Sequence, residues 1–407
     1  MSFRSLRPVL TGVLTGAAAL AATAVGGVEL RYRRHPGNDL GFTNEGWVST
    51  RTSPEHLTVT GRVILANQIP TREVMVCDVD PQVHLLGDGP VDAVRVTARA
   101  RSLRKDYPAR EDGYWVSYVV KPGRYHEDSP LEVLVDLTGP QAALDALQAL
   151  WIEVRLATYG FVGRQDQFHH IVMPLRFPDA DQPAPWLPAA GRAQVRAVRT
   201  HLLGPFDDPV EVVRRYALPH AGPHDIVTIG ESPLAVIQGR FRDPRMLSPT
   251  WAATRMAQFM HGEGALGTAT GMQSLMNEHG SLRVMGALAG GAVGKAAGQA
   301  GWFYRLAGPQ ARLVDDVTGT LAPYDNFVVV GPAEADQVCA DITAGTGLAA
   351  AVVDANDLGK VDVVGASAGV DHGLVCAALQ ANPAGNADET TPLVLIRPSE
   401  GSWPTTR

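Results

Sequence analysis

Carboxylates and amides in this chain sit where apolar runs stop. Asp315 and Asp316 follow Leu313 and Val314; Asp354, Asn356 and Asp357 follow the run 349–353; Asn386, Asp388 and Glu389 precede the run 393–396. Hard oxygen donors at the ends of several strands are what Mg2+ or Mn2+ requires, and a nucleoside triphosphate brings its charge to a protein largely through such ions. Asp, Asn and Gly also dominate turns and helix caps, so spacing alone leaves metal binding and turn-making both open. Arg305 and Arg312 lie in the same half of the chain. A guanidinium there can grip phosphate or carboxylate with two parallel hydrogen bonds, or serve as an ordinary surface or salt-bridge residue.

Three familiar signatures fail on context. Gly262-Glu263-Gly264-Ala265-Leu266-Gly267 spells a dinucleotide fingerprint, but residues 251–260 before it predict an amphipathic helix where the cofactor loop must leave a strand. Residues 290–295 hint at a phosphate loop, yet Ala289 and Ala296 replace its first Gly and its magnesium-binding hydroxyl; small-residue helix packing fits 286–298 better. Gly365-Ala366-Ser367-Ala368-Gly369 matches a nucleophile elbow between a strand and a helix. The only later histidine, His372, is five residues away and badly placed to act as its base. His169 and His170 form a doublet, but neighbours on a strand point to opposite faces and do not readily share a metal.

These residues need elements to hold them. The 407 residues allow two or three domains, and 45% hydrophobic with 19% charged is a globular composition. From 55 to 177 short alternating or β-branched runs, about seven with one helical insert at 140–149, predict a β-sandwich. A Pro-rich connection covers 178–188. With 35 basic against 42 acidic side chains, net −7, nucleic acid is not an expected partner. Three scattered cysteines, Cys77, Cys339 and Cys376, read as buried thiols.

Residues 8–28 are uncharged and apolar, with Arg4 and Arg7 before them and Arg31, Arg33 and Arg34 after. That length suits a bilayer span, and a signal peptide cut near Ala22-Thr23-Ala24 competes with an anchor. The basic flanks lean toward a cytoplasmic body, a secreted protein being the alternative.

The run Asp225-Ile226-Val227-Thr228-Ile229-Gly230-Glu231-Ser232, ending in Gln238-Gly239-Arg240, resembles the opening strand and turn of the glutamate ligases that extend the tail of the deazaflavin coenzyme F420. The segments 328–332, 335–343, 350–354 and 363–369 follow in the order of that family. Asn382-Pro383-Ala384-Gly385-Asn386-Ala387-Asp388-Glu389 and the run to Arg397 resemble its closing part. The resemblance covers about 220–398. It implies GTP-dependent amide formation, in which a carboxylate becomes an acyl phosphate and an amino acid's amine attacks it. By the same resemblance Asp354 matches a metal-binding aspartate, and Asp315 or Asp316 lies where an earlier one is expected. Val353 and Ala355 stand where the family has Ser and Thr, and no Lys occurs between 232 and 239.

The expected architecture is an N-terminal transmembrane helix, an all-β sandwich and an α+β ligase-like domain. Its boundaries are 1–34 for the anchor or signal segment, 45–180 for the sandwich, 181–215 for a connection and 216–400 for the ligase-like domain. The expected metal ligands for Mg2+ or Mn2+ are Asp315, Asp316, Asp354, Asn356 and Asp357. Glu231, Ser232, Gly239, Arg240, Asn386 and Asp388 are expected to contact the co-substrate GTP, with Arg305 and Arg312 as catalytic cations. A small-molecule carboxylate, an amino acid, a nucleotide, the membrane and a second copy of the chain are the expected partners. The rival is a non-catalytic, membrane-associated binding or scaffold protein that keeps the ligase fold.

Overall fold

The computed structural model describes residues 23, 25–27, 37–112, 114–181, 183–260, 264–299, 301–316, 321–356, 358–385 and 389–399. They form two compact units. One comprises the chain up to Val83 with Val94–Leu144 and Ile152–His170; the other comprises His84–Ala93, Asp145–Trp151 and the chain from Ile171 onward.

Up to Pro174 the chain forms β1 (Leu40–Ser53), β2 (His56–Asn67), β3 (Val74–Gly87), β4 (Arg95–Ser102), β5 (Tyr118–Val120), β6 (Ser129–Thr138), the short helix α1 (Gln141–Asp145), β7 (Leu147–Gly160) and β8 (Gly163–Pro174). One sheet runs β1-β2-β6-β4 and is antiparallel throughout; the other runs β5-β3-β7-β8. The period-2 pattern explains the burial. Leu57, Val59, Val63 and Leu65 of β2 and Leu131, Val133, Val135 and Leu137 of β6 alternate inward, while their neighbours face out. β1 lies outside the strands expected from the sequence, because most of its residues are exposed and its apolar alternation is weak.

The second unit adds β9 (Leu187–Ala189), β10 (Ala193–Val198), α2 (Pro209–Tyr216), β11 (Ile226–Gly230), α3 (Glu231–Ile237), β12 (Phe241–Arg242), α4 (Trp251–Phe259), α5 (Ala269–His279), α6 (Ser281–Ala296), α7 (Trp302–Ala307), β13 (Asp315–Asp316), β14 (Val328–Val329), α8 (Ala335–Thr346), β15 (Ala349–Ala355), β16 (Val361–Ala366), α9 (His372–Leu379) and β17 (Leu393–Pro398). A six-stranded sheet runs β16-β15-β11-β17-β10-β9, with β11 and β15 parallel and the other pairings antiparallel; a small sheet runs β12-β14-β13. Because both faces are covered, β11 over 226–229 and β17 over 393–396 are continuously buried rather than alternating. Val212, Val213, Leu234, Cys339 and Ile342 from helices α2, α3 and α8 pack with Val227, Ile229 and Leu395. Val375, Ala378 and Leu379 of α9 pack with Ile226, Val394 and Ile396. Helices α4 to α7 form a third core around Met272, Leu275 and Phe303.

Local chemistry starts the helices. Asp208 caps α2 by accepting from the amides of Val210 and Glu211, with Pro209 at the first position. Asp371 caps α9 in the same way, accepting from Gly373 and Leu374.

The expected transmembrane helix is not part of this fold. Among the described residues no helix is long and apolar enough to cross a membrane. Apart from 23 and 25–27, the apolar stretch 8–28 lies outside the described residues. Apolar composition over about twenty residues meets the length requirement of a span but does not itself establish one.

Candidate functional site

Strand β11 ends at Gly230 and α3 begins at once, so Glu231 is carried on the first turn of a helix packed into the core. Its side chain is buried, the residue being 8% exposed, and Oε2 has no hydrogen-bond partner. Ser232 Oγ lies 2.8 Å from Glu231 Oε1 and 3.2 Å from Asp315 Oδ2, bridging α3 to β13. Asp354, near the end of β15, reaches the same place because β15 runs parallel to β11, pairing Val353 with Gly230.

Glu231, Ser232, Asp315 and Asp354 line one cavity of about 670 Å³. Burial above all, and then the charge of Asp315, pushes the Glu231 carboxyl up to about 8, against the Ser232 hydrogen bond; Asp354 adds to the rise. Asp315 is raised by burial and by Asp354, opposed by Ser232. Burial raises Asp354 too, with Lys360 opposing and Asp362 reinforcing. The three acids therefore repel one another through a medium that screens poorly. Their ligand oxygens are not gathered so that all lie within 4.8 Å of one another, among the described residues. A cation entering there would relieve the repulsion and satisfy the orphaned Oε2; oxygen-only donors suit Mg2+ or Mn2+.

Arg312 and Lys360 line the same cavity. Arg312 is exposed and lies over the Tyr304 ring, 5.6 Å from its centroid. Lys360 was not singled out in the sequence, though its turn carries a readable signal. Asn356 Oδ1 accepts from the amides of Leu358 and Lys360 at 3.1 and 3.2 Å, and Gly359 takes φ +76 to close the hairpin from β15 to β16. Asn356 is thus a turn-former at the cavity wall. Lys360 also meets Asp362 at 2.8 Å, an exposed pair that does not hold it firmly.

Other expected contacts lie elsewhere. Arg240 donates to the Gly331 carbonyl and to Glu278, each at 2.7 Å, and is not on the cavity wall; Gly239 uses φ +66 to turn the chain out of α3. Arg305 is exposed on α7, away from the cavity lining. The backbone of Asp316 pairs with Val328 in β13. Asp357, Asn386 and Asp388 lie outside the described residues. Ser367 of the elbow-like run is buried and pinned, its amide donating to the Ala350 carbonyl and its Oγ accepting from the Ala350 amide.

The comparisons bear first on the class of protein. Residues 41–177 match the family model of the N-terminal Ig-like domain of F420-0:gamma-glutamyl ligase. The match supports that ligase family and the β-sandwich reading, but it does so at the N-terminal part of the chain. The motif resemblance covers 220–398, so the support falls on a different part of the chain. Short strands of a sandwich carry few fixed residues, so this part of the chain offers no local motif for the family.

Among particular proteins, similar solved structures include the yeast GGA1 GAE domain, at 8% identity over 34% of this chain and 100% of that chain, with a TM-score of 0.20. AggA, the major subunit of aggregative adherence fimbriae type I from Escherichia coli, is 14% identical over 33% and 93%, TM-score 0.18. The CupB6 tip adhesin from Pseudomonas aeruginosa is 10% identical over 34% and 56%, TM-score 0.19. Similarity at these scores carries no argument. No curated protein matches the chain.

Proposed function

We propose that the second unit is a nucleotide- and divalent-cation-dependent amide ligase, joining a small-molecule carboxylate to the amine of an amino acid. One observation carries the reading: three carboxylates from separate segments, one with an orphaned buried oxygen, face a single cavity that Arg312 and Lys360 also line. The family whose Ig-like domain matches residues 41–177 is by name a gamma-glutamyl ligase, which supports ligation over other phosphate chemistry.

Glu231, Asp315 and Asp354 would hold Mg2+ or Mn2+, which when bound neutralises phosphate charge and orients the phosphate chain for in-line displacement. Ser232 keeps Glu231 and Asp315 in register through its two hydrogen-bond contacts. Arg312 and Lys360 offer positive charge where the transferred phosphoryl group spreads its own negative charge over its oxygens. The balance of the reaction is simple. A substrate carboxylate oxygen bonds to the γ-phosphorus as the bridge to the diphosphate breaks, giving GDP or ADP. The amine nitrogen then bonds to the acyl carbon, inorganic phosphate leaves, and the amine gives up a proton to solvent.

Hydroxylamine intercepts acyl phosphates as hydroxamates. The full chain incubated with GTP or ATP, Mn2+, hydroxylamine and a panel of carboxylates is expected to form hydroxamate with one of them, in step with nucleotide cleavage. Absence of both nucleotide cleavage and any nucleotide-induced rise in melting temperature would overturn the reading, since a nucleotide at about 100 times its Kd adds about 2.7 kcal/mol of stability.

A further inference from the structure

A second cavity, of about 380 Å³, adjoins the first: Thr200, His201, Leu202 and Thr390 line both. Its charge is opposite in character. Arg176 and Arg199 line it, whereas the first cavity holds Glu231, Asp315 and Asp354. Arg199 is exposed; its Nε donates to Thr390 Oγ1 at 3.1 Å, and among the described residues its guanidinium makes no ion pair. Arg176 meets Asp88 at 3.2 Å, with both side chains largely exposed, and such a pair exchanges readily for another anion. Asp179 also lines this cavity.

The partition between the two cavities is built at a cost. Thr390 has φ +52, a left-handed conformation that β-branched residues rarely adopt. Its carbonyl accepts from the Thr200 amide at 2.9 Å, and its hydroxyl holds Arg199. Strain of this kind persists where the surroundings impose it, and it gathers at ligand sites. His201 is fixed as wall: its Nδ1 lies 2.8 Å from Tyr216 OH and its Nε2 lies 2.8 Å from Asp207 Oδ1, so both ring nitrogens are engaged within the chain.

We infer that the cavity of Arg176 and Arg199 is an oxyanion subsite, taking a carboxylate or phosphate group of a substrate whose reacting end lies beyond Thr390 in the acidic cavity. A planar guanidinium matches either oxyanion by two parallel hydrogen bonds. The charge contrast favours that direction: Asp315 and Asp354 repel an anionic tail in the first cavity, and Arg176 and Arg199 attract it in the second. The inference deepens the ligase reading, on which it rests for the identity of the ligand as substrate. Binding of the oxyanion itself needs neither nucleotide nor cation.

The test is calorimetric titration of the full chain with succinate and, separately, inorganic phosphate, without divalent cation, repeated on R199Q and R176Q. The expected result is saturable binding of at least one probe, weakened tenfold or more in R199Q and R176Q, with Mn2+ binding unchanged in both variants. Binding of succinate alone assigns the subsite to a carboxylate, and of phosphate alone to a phosphate. No binding of either probe, or binding that R199Q and R176Q leave intact, overturns the inference. Loss of Mn2+ binding in the parent chain would count against the ligase reading instead and leave the oxyanion result standing.

Discussion

Glu231 is buried, with the charges of Asp315 and Asp354 acting on it. Its carboxyl is raised to about 8 in the folded chain from an ordinary 4.5. The native state therefore holds a proton that the unfolded state has lost between those values, so this group's contribution makes stability fall as pH rises from about 4.5, with the loss complete above about 8. E231Q removes that slope. In the absence of metal, E231Q is expected to be more stable to unfolding than the parent at pH 9, by on the order of a few kcal/mol, with a higher melting point, and to lose the Mn2+-induced rise in melting temperature. A lower melting point for E231Q at pH 9 would contradict this. His169 gives an opposite case in the first unit. Burial above all, with the neighbouring His170 adding, lowers its ring to about 3, and it lies 2.9 Å from Asn44 Oδ1. The unfolded state takes up the proton first, so stability is expected to fall as pH drops from about 6.5 toward 3. H169F should flatten that slope in acid melts. At this scale the sequence was partly legible. Asp315 and Asp354 were marked by the apolar runs before them, and the structure puts both on one cavity with Glu231. Gly239 and Arg240 follow the same motif as Glu231 but sit past the end of α3, where a helical rotation and a turn carry them off the cavity wall.

Elements were more legible than sites. The expected amphipathic helix at 251–260 corresponds to α4, because Thr250 caps its start by accepting from the Ala253 amide. The expected helical insert at 140–149 shrinks to Gln141–Asp145, since Leu147 onward is drawn into β7 by its sheet partners. The run around Ser367 shows why a motif with correct flanks can mislead. A Cβ on Gly365 would stand 2.6 Å from Ala335 Cβ and 2.7 Å from the Asp336 amide nitrogen, so this glycine lets the first turn of α8 lie on β16. Asp336 then accepts from the Ala366 amide at 2.9 Å. The glycine-rich sequence is a packing seam. G365A is expected to destabilise the chain by about 1 to 3 kcal/mol by overpacking, read as a lower denaturant midpoint with an unchanged slope. A neutral G365A would show that the seam has room.

Across the whole chain, order in sequence hides order in space. The last strand, β17, lies inside its sheet between β11 and β10, and Arg397 at its end clamps Asp225 before β11 with two hydrogen bonds of 2.9 and 2.7 Å. Asp225 is buried at 3% exposure, so R397A leaves its charge with the Gly222 amide as remaining support, and is expected to cost about 2 kcal/mol in thermal or chemical unfolding. No change in stability would mean that the clamp is dispensable. Pairings across so many residues are set by tertiary packing and leave no local signal, which is why the sequence indicated strands but not their order. It indicated a ligase family too, with the family match then falling on the sandwich rather than on the half with the carboxylates. The account turns on those carboxylates sharing a cation. Crystals grown with Mn2+ and measured at the manganese absorption edge are expected to show an anomalous peak between Glu231, Asp315 and Asp354, with the three side chains drawn closer together than in the metal-free chain. A saturating Mn2+ soak that leaves no peak between the three side chains would contradict it.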